Sequence, residues 1–126
     1  KIKSGKKIAV CGVGTITYNL ISVKELLKEN KNLDISIYGI TKIENNDLIM
    51  NSLIKKYEKI FIVEEHYECT GYASYIKNKN DKNHSNKIYN IGVKKLFYKG
   101  LGEKDNAHKI LGLDSKSLTR KILKYL

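Results

Sequence analysis

Two carboxylates and an imidazole stand side by side in the middle of the chain. Glu64, Glu65 and His66 directly follow an apolar run at residues 60–63, which is typical of a buried strand. Enzymes often place general acid/base groups at such a strand end, so Glu65 and His66 are candidate catalytic residues. The structural alternative is that a glutamate accepts hydrogen bonds from backbone N–H groups of the following turn.

A cysteine and the two remaining histidines offer little further chemistry. Cys69 is three residues from His66, a proximity that suggests a nucleophile, but nothing in the turn orients the imidazole and a packed thiol is favoured. His84 lies in a polar tract and His108 in a late helix, and neither stands at the spacing of a zinc or hydrolase motif. We therefore expect no metal site in this chain.

A pair of glycines follows the first apolar run. Residues 12–15, Gly-Val-Gly-Thr, lie between a predicted strand and a helical pattern, where backbone N–H groups can bind a phosphate. The segment has neither the third glycine of a dinucleotide-binding loop nor the lysine-serine or lysine-threonine pair of a Walker loop. A tight turn between strand and helix is the favoured interpretation.

Strand and helix patterns alternate along the chain. Short apolar or alternating runs predict strands at residues 8–11, 33–38, 60–63 and 88–91, with an element of uncertain type at 96–98. Amphipathic patterns predict helices near residues 18–29, 47–57, 72–76, 104–111 and 115–126. This order is typical of a three-layer α/β/α domain with right-handed crossovers and a mostly parallel sheet of about five strands.

The predicted elements form one domain over residues 1–126. Capping side chains are expected at three helix starts: Thr15 or Thr17, Asn46 or Asp47, and Asp114 or Ser115. The stretch 77–87 is rich in asparagine and lysine and is predicted to be a polar low-complexity loop. Lys1 stands where an intact translation product has methionine, so we expect the domain to be a fragment of a longer enzyme.

The chain carries a formal charge of +11, which raises nucleic acid as a partner. Its lysines are spread from Lys1 to Lys124 and Arg120 is the only arginine, unlike the clustered arginines and aromatic residues of base-stacking surfaces. No apolar run approaches the roughly 18 residues of a membrane span. We predict a soluble chain with neither nucleic acid nor membrane as a partner, in which Cys11 and Cys69 are reduced thiols.

Several segments resemble the C-terminal domain of the transketolase superfamily. Residues 61–66, Phe-Ile-Val-Glu-Glu-His, and 70–74, Thr-Gly-Tyr-Ala-Ser, are similar to the family's buried strand, Glu-Glu-His or Glu-Glu-Asn motif and Gly-Gly-x-Gly-Ser turn, of which Gly71 and Ser74 remain. Residues 5–10 with the glycine turn, and residues 33–38, resemble its first two strands. The family's Lys-Pro-Leu-Asp after the second strand is replaced by residues 42–47, without proline.

The second half of the chain is more similar to the 1-deoxy-D-xylulose-5-phosphate synthase family than to transketolase proper. The similar segments are residues 90–93, Asn-Ile-Gly-Val, then Phe97 with Gly100 or Gly102, and residues 111–114, Leu-Gly-Leu-Asp. The family's Pro-Asp pair after the glycine of the first segment is replaced by two lysines. These departures fall in turns, so they affect the expected loop geometry more than the expected fold.

This resemblance implies a division of labour within a longer enzyme. Thiamine diphosphate and magnesium are held in this family by two preceding domains, so the fragment is expected to contain no cofactor-binding, metal or catalytic residue. Its expected role is to pack on those domains and support a homodimer, with Gly71 and Ser74 forming the turn and Glu64 and Glu65 anchoring the turn or an interdomain contact. The implied whole enzyme decarboxylates pyruvate and adds the two-carbon unit to glyceraldehyde 3-phosphate, a step of isoprenoid precursor synthesis.

Other interpretations stay open. The same fold occurs in transketolases and in 2-oxoacid dehydrogenase β subunits. A different class is a basic α/β module that binds a phosphorylated ligand or RNA, whose affinity would fall steeply with ionic strength. The lysine and asparagine bias suggests an AT-rich genome, and the expected location is a plastid for a plastid-bearing parasite and the cytoplasm otherwise.

Overall fold

The computed structural model describes residues 7–42, 47–94, 96 and 98–126, and its four strands form one parallel sheet. The strands are β1 (Ile8–Val13), β2 (Ile35–Ile40), β3 (Lys59–Tyr67) and β4 (Ile88–Val93), in the spatial order β2-β1-β3-β4. Val10 of the central strand β1 pairs with Ile37 on one side and Phe61 on the other. Because the strands are parallel, their carboxyl ends lie at one edge of the sheet.

Helices connect the strands and cover both faces of the sheet, as the predicted α/β/α architecture requires. They are α1 (Thr17–Lys31), α2 (Asp47–Lys56), α3 (Tyr72–Lys79), α4 (Lys82–Ser85), α5 (Lys104–Leu111) and α6 (Ser115–Lys124), with a 3-10 turn at Gly14–Ile16 before α1. Within the residues that the structure describes, no helix has the length and apolarity that crossing a membrane requires.

The sheet separates two apolar cores, because successive side chains of a strand point to opposite faces. On the first face α1 and α6 bury Leu27 and Ile122 against the sheet. On the second face α2 and α3 bury Ile54 and Ile76. β1 and β3 contribute apolar side chains to both cores, which explains why their sequences are continuously apolar rather than alternating.

The connections that leave β1 and β3 run in opposite directions. β1 leads into α1 on the first face, whereas the neighbouring β3 leads into α3 on the second. Such a switch point leaves a crevice outside the strand ends, where ligands of open α/β sheets usually bind. α5 reaches this crevice from the first face, since its His108 contacts both α1 and β3.

The sheet departs from the prediction at two places. The structure has four strands rather than about five: Leu96 and Tyr98 are in no strand, and Phe97 lies outside the described residues. β3 is longer than predicted and ends at Tyr67, which pairs with Val93 of β4 beyond a register shift. The polar residues after position 63 therefore belong to the strand, because pairing with β4 outweighs their low strand preference.

The helix starts also differ in part from the prediction. Neither Thr15 nor Thr17 caps α1, because a 3-10 turn intervenes and Ile16 occupies the N-cap. Asp114 does cap α6, since its side chain accepts a hydrogen bond from Ser117 N at 3.2 Å. At α2, Asn46 lies outside the described residues.

The predicted polar loop at residues 77–87 contains helical structure. α3 continues to Lys79, and α4 then spans residues 82–85. The side chain of Asp81 caps this short helix by accepting a hydrogen bond from His84 N at 2.9 Å. Local capping thus orders a segment whose composition alone favours a loop.

Candidate functional site

The neighbouring carboxylates Glu64 and Glu65 occupy different environments. Both lie near the end of β3, where the two-residue period of a strand directs adjacent side chains to opposite faces. Glu64 is buried beside the start of α3, and Glu65 reaches α5 on the first face. Glu64 and Glu65 therefore belong to two separate hydrogen-bond networks.

Glu64 holds the amino end of α3. Its Oε2 accepts a hydrogen bond from Tyr72 N at 2.6 Å, and its Oε1 accepts one from Ala73 N at 3.3 Å. The residue at the N-cap, Gly71, supplies no side-chain bond, so Glu64 replaces the missing cap and places its negative charge at the positive end of the helix dipole. This is the structural alternative considered for the strand-end glutamates.

Burial is the main influence on the acidity of Glu64. It raises the pKa of this carboxyl above its ordinary value, although the hydrogen bonds from Tyr72 N and Ala73 N act in the opposite direction. A buried carboxyl with a raised pKa is one of the marks of a catalytic acid. Here both oxygens are engaged by the backbone of α3, which makes a structural role the simpler account.

Gly71 and Ser74 shape the turn between β3 and α3. A Cβ on Gly71 would lie 2.3 Å from the Glu64 carboxyl group, a distance that side chains do not tolerate, so only glycine lets the carboxylate reach the helix. Ser74 Oγ donates a hydrogen bond to Glu68 O at 2.8 Å and ties α3 back to the turn. Their predicted role as turn residues fits these contacts.

Glu65 is the centre of a second network. Its Oε1 accepts a hydrogen bond from His108 Nε2 at 2.6 Å, and its Oε2 accepts one from Thr15 Oγ1 at 3.3 Å. Thr15 Oγ1 in turn accepts a hydrogen bond from Lys104 Nζ at 3.0 Å. The network joins the turn after β1 to the end of β3, at the crevice between those two strands.

Asn19 determines which nitrogen of His108 carries a proton. Asn19 Nδ2 lies 3.0 Å from Leu113 O and 3.1 Å from His108 Nδ1. A carbonyl oxygen only accepts, so the amide group must present its N–H bonds to both partners, and His108 Nδ1 accepts the second. The ring proton then sits on Nε2 and is donated to Glu65.

His66 and Cys69 do not join this network in the way that the candidate chemistry requires. His66 is exposed and lies with Glu65 along one cavity, so a catalytic role for Glu65 and His66 stays a prediction. The expectation that Cys69 is packed is wrong, since its thiol is exposed at the turn after β3. Cys11 is buried in β1, and burial raises the pKa of its thiol to about 12, so it is a protonated core residue at neutral pH.

The two glycines lie where β1 ends and the chain turns tightly toward α1. Gly14 has a φ of 76°, in the left-handed region, and Thr17 Oγ1 lies within 2.9 Å of Gly12 O and 2.7 Å of Gly14 O. A Cβ on Gly12 would lie 2.4 Å from Thr17 Oγ1. The Thr17 hydroxyl therefore ties together the backbone where β1 turns into α1, as the favoured interpretation of a tight turn expects.

The described residues also give little support for a resident metal ion. No group of three or more histidine, cysteine, aspartate or glutamate side chains in the described ranges is placed to hold one. His84 Nδ1 contacts Asp81 Oδ2 at 2.7 Å at the start of α4, which is a local capping contact. His84 thus serves the start of α4, and His108 serves the Glu65 network.

Sequence reasoning missed the pairing of Glu65 with His108. The residues are 43 positions apart, and no local motif connects them. A partial signal exists in the helical period, since His108 stands three residues before Leu111 on the face of α5 that packs inward. A histidine on the inward face of a short polar helix needs a hydrogen-bonding partner, and the strand-end glutamates were the available acceptors.

Comparison with known proteins supports the resemblance found in the motifs. The chain is 29% identical to a 1-deoxy-D-xylulose-5-phosphate synthase of Clostridium perfringens (strain 13 / Type A) over 128 residues, which cover 100% of this chain and 20% of the relative. It is 26% identical to a protein of the same name from Thermotoga maritima over 127 residues, covering 99% of this chain and 19% of that relative. This chain thus spans about a fifth of the length of the curated relatives it matches.

The fold has a counterpart among solved structures. A chain described as a split gene transketolase, inactive beta4 tetramer, superimposes with a TM-score of 0.75 and 16% identity, covering 97% of this chain and 39% of that one. No model of a known protein family matches the sequence. Together the matches confirm the predicted resemblance to the synthase family and the predicted transketolase-like α/β fold.

Proposed function

We propose that this chain is the C-terminal domain of a 1-deoxy-D-xylulose-5-phosphate synthase and that its role there is structural. The observation that carries the proposal is similarity to such synthases over the whole chain, together with 19–20% coverage of those relatives. The relatives continue beyond the matched region, so a domain in the same position here would have large neighbours to pack against. The longer protein would join the two-carbon unit of pyruvate to glyceraldehyde 3-phosphate.

In this proposal the thiamine diphosphate site lies outside this domain. The Thr17 hydroxyl bonds the carbonyl groups of Gly12 and Gly14, and the described ranges bring together no group of three or more histidine, cysteine, aspartate or glutamate side chains that could hold a metal ion. We therefore assign the cofactor, the magnesium ion and the chemical step to the remainder of the longer protein.

Within that protein, Glu64, Gly71 and Ser74 fix the path from β3 to α3. Glu65 occupies a different position, at the rim of the crevice with 37% of its side chain exposed. This exposure suits a contact with a neighbouring domain. The same proposal includes support of a homodimer. The domain would add contact surface to a dimer of the longer protein.

The first experiment is to read the gene upstream of the codon for Lys1 and to express the complete open reading frame. The proposal expects a glycine-aspartate-glycine thiamine-diphosphate motif in that frame, and production of 1-deoxy-D-xylulose 5-phosphate from pyruvate and glyceraldehyde 3-phosphate when thiamine diphosphate and magnesium are supplied. A start codon immediately upstream, without the motif, would contradict it.

The enzyme assay also separates the alternatives. Ketol transfer between sugar phosphates without use of pyruvate would identify a transketolase, which the structural similarity to a split gene transketolase makes the second candidate. Pyruvate consumption that depends on an acyl carrier instead of glyceraldehyde 3-phosphate would indicate a 2-oxoacid dehydrogenase β subunit. Retention on RNA that weakens steeply with salt would favour the basic binding module.

A further inference from the structure

A cavity of about 320 Å³ opens beside Glu65 at the carboxyl edge of the sheet. Its lining residues are Glu65, His66, Tyr67, Thr70, Val93, Tyr98, Leu101 and Leu111. This volume is at the lower limit of the roughly 300–1,000 Å³ typical of small-molecule sites. It therefore suits one inserted side chain better than a cofactor.

The carboxylate of Glu65 is held in place from the protein side. His108 Nε2 binds Oε1 at 2.6 Å, and Thr15 Oγ1 binds Oε2 at 3.3 Å. A carboxylate has about four lone-pair positions, so each oxygen keeps acceptor capacity after these two bonds. With 37% of the side chain exposed, that remaining capacity is accessible to a ligand.

The support behind this carboxylate is elaborate for a surface residue. The His108 side chain is only 5% exposed, so its ring has been removed from water at a cost in solvation. Asn19 keeps the ring in the form that donates to Glu65, and Asn19 is itself fixed by Leu113 O. Residues of α1, α5 and the 3-10 turn thus orient the carboxylate of Glu65. Such support from several elements is expected of a binding site.

The chemistry of the walls indicates the ligand. Apart from Glu65, His66 and Thr70, the lining side chains are apolar or aromatic: Tyr67, Val93, Tyr98, Leu101 and Leu111. One carboxylate within apolar and aromatic walls matches a cation on an apolar stem, because the stem packs while the charge pairs. The two oxygens of Glu65 match the two parallel N–H groups of a guanidinium, which also stacks on aromatic rings.

Among the residues that the structure describes, no lysine or arginine of this chain pairs with Glu65. Its single arginine, Arg120, lies on α6 and donates a hydrogen bond to Ser117 Oγ at 3.2 Å. Lys104 approaches from the other side and donates to Thr15. We propose that the cavity beside Glu65 receives the guanidinium group of an arginine from another part of the longer protein. That the arginine comes from the longer protein rests on the proposed function, whereas the cavity's preference for a guanidinium does not.

The preference is tested by titrating this chain with N-acetyl-arginine N-methylamide and following the Tyr98 and Leu111 signals by NMR. We expect saturable shifts with a millimolar dissociation constant, and none with the matching citrulline derivative, which has the same shape without the charge. Glu65→Gln should weaken binding by at least about tenfold, since it removes the charge of the ion pair. Glu58→Gln is the matched control, because Glu58 is exposed before the start of β3 and pairs with Lys7 at 3.0 Å.

Three outcomes would overturn the proposal: equal shifts with the citrulline derivative, equal binding by Glu65→Gln, or no saturable shift in the unaltered chain. The citrulline comparison uses only the unaltered chain, so the proposal stays testable if Glu65→Gln does not fold. The titration is also independent of the enzyme assay. If the enzyme assay fails but the chain binds the arginine derivative, the synthase assignment is wrong and the guanidinium site stands. If the assay succeeds but the arginine derivative does not bind, only the guanidinium site is wrong.

Discussion

At the scale of single residues, the chain gives adjacent carboxylates separate tasks. Glu64 faces α3 and binds two backbone N–H groups, whereas Glu65 faces α5 and binds His108. The cause is the alternation of side chains along β3, which extends through these residues because β3 is longer than its apolar part. The two carboxylates can therefore be altered independently.

Replacing Glu64 with glutamine should destabilise the fold by about 1–3 kcal/mol, since one of the two carboxylate oxygens becomes an amide group that faces an N–H donor. The change in the free energy of unfolding is measured by urea denaturation at neutral pH. The matched control is Glu58→Gln, an exposed glutamate. Equal stability of the two variants would contradict the capping role of Glu64.

The partner substitution Gly71→Ala tests the same contact from the other side. Its Cβ would lie 2.3 Å from the Glu64 carboxyl group, and the overpacking should cost about 1–3 kcal/mol. In a Glu64→Ala background the same substitution should cost less, because the clashing group is gone. Additive effects of the two changes would show that the close approach does not matter.

At the scale of elements, α6 depends on the capping residue Asp114. Its side chain accepts a hydrogen bond from Ser117 N at 3.2 Å, and the helix contributes Leu118 and Ile122 to the first core. Burial alone would raise the pKa of Asp114, but the hydrogen bonds from Ser117 and from Lys116 N outweigh it and hold the pKa below the ordinary value. The ionised form is thus favoured by folding.

The lowered pKa of Asp114 makes its contribution depend on pH. Asp114→Asn keeps a capping side chain but removes the charge, so it should be less stable than the unaltered chain at neutral pH. The deficit should be full above the unfolded aspartate pKa of about 3.9 and should shrink as pH falls through the lower folded value. Urea denaturation from neutral pH down to acid measures it, and a deficit that does not change with pH would contradict the charge effect.

The elements were more predictable from the sequence than their ends. Period and composition located each of the strands in the described part of the chain and the amphipathic helices, because burial against one sheet imposes those patterns. The extension of β3 to Tyr67 was not predictable, since pairing with Val93 is a long-range contact. The capping of α1 was also mispredicted, because the 3-10 turn at Gly14–Ile16 depends on the packing of Thr17 beneath Gly12.

The site was predictable only in part for the same reason. The motif around the strand-end glutamates indicated where polar groups gather, and it indicated that a glutamate would accept N–H bonds from the next turn. Nothing local indicated that His108 would turn toward Glu65, or that Asn19 would set its tautomer, because these three residues come from three separate elements. Tertiary packing supplies that information.

At the scale of the whole molecule, two cores share one sheet. β1 and β3 send alternate side chains into both cores, so neither core can lose its order while the sheet stays intact. The chain should therefore unfold as one cooperative unit, as small single domains usually do. The two cores differ in which helices cover them, and this allows each to be perturbed alone.

Leu27→Ala in the first core and Ile54→Ala in the second should each lower the free energy of unfolding by about 2–5 kcal/mol, because both side chains are at most 2% exposed and leave a cavity. The exposed Leu48, at 83%, provides the control Leu48→Ala, which should stay within about 0.5 kcal/mol of the unaltered chain. In every variant, circular dichroism of the helices and fluorescence of the nine tyrosines should report one common urea midpoint. Because helices and tyrosines lie on both faces of the sheet, two separate midpoints in Leu27→Ala would show that part of the chain unfolds on its own, and the shared sheet would not be what couples the two cores.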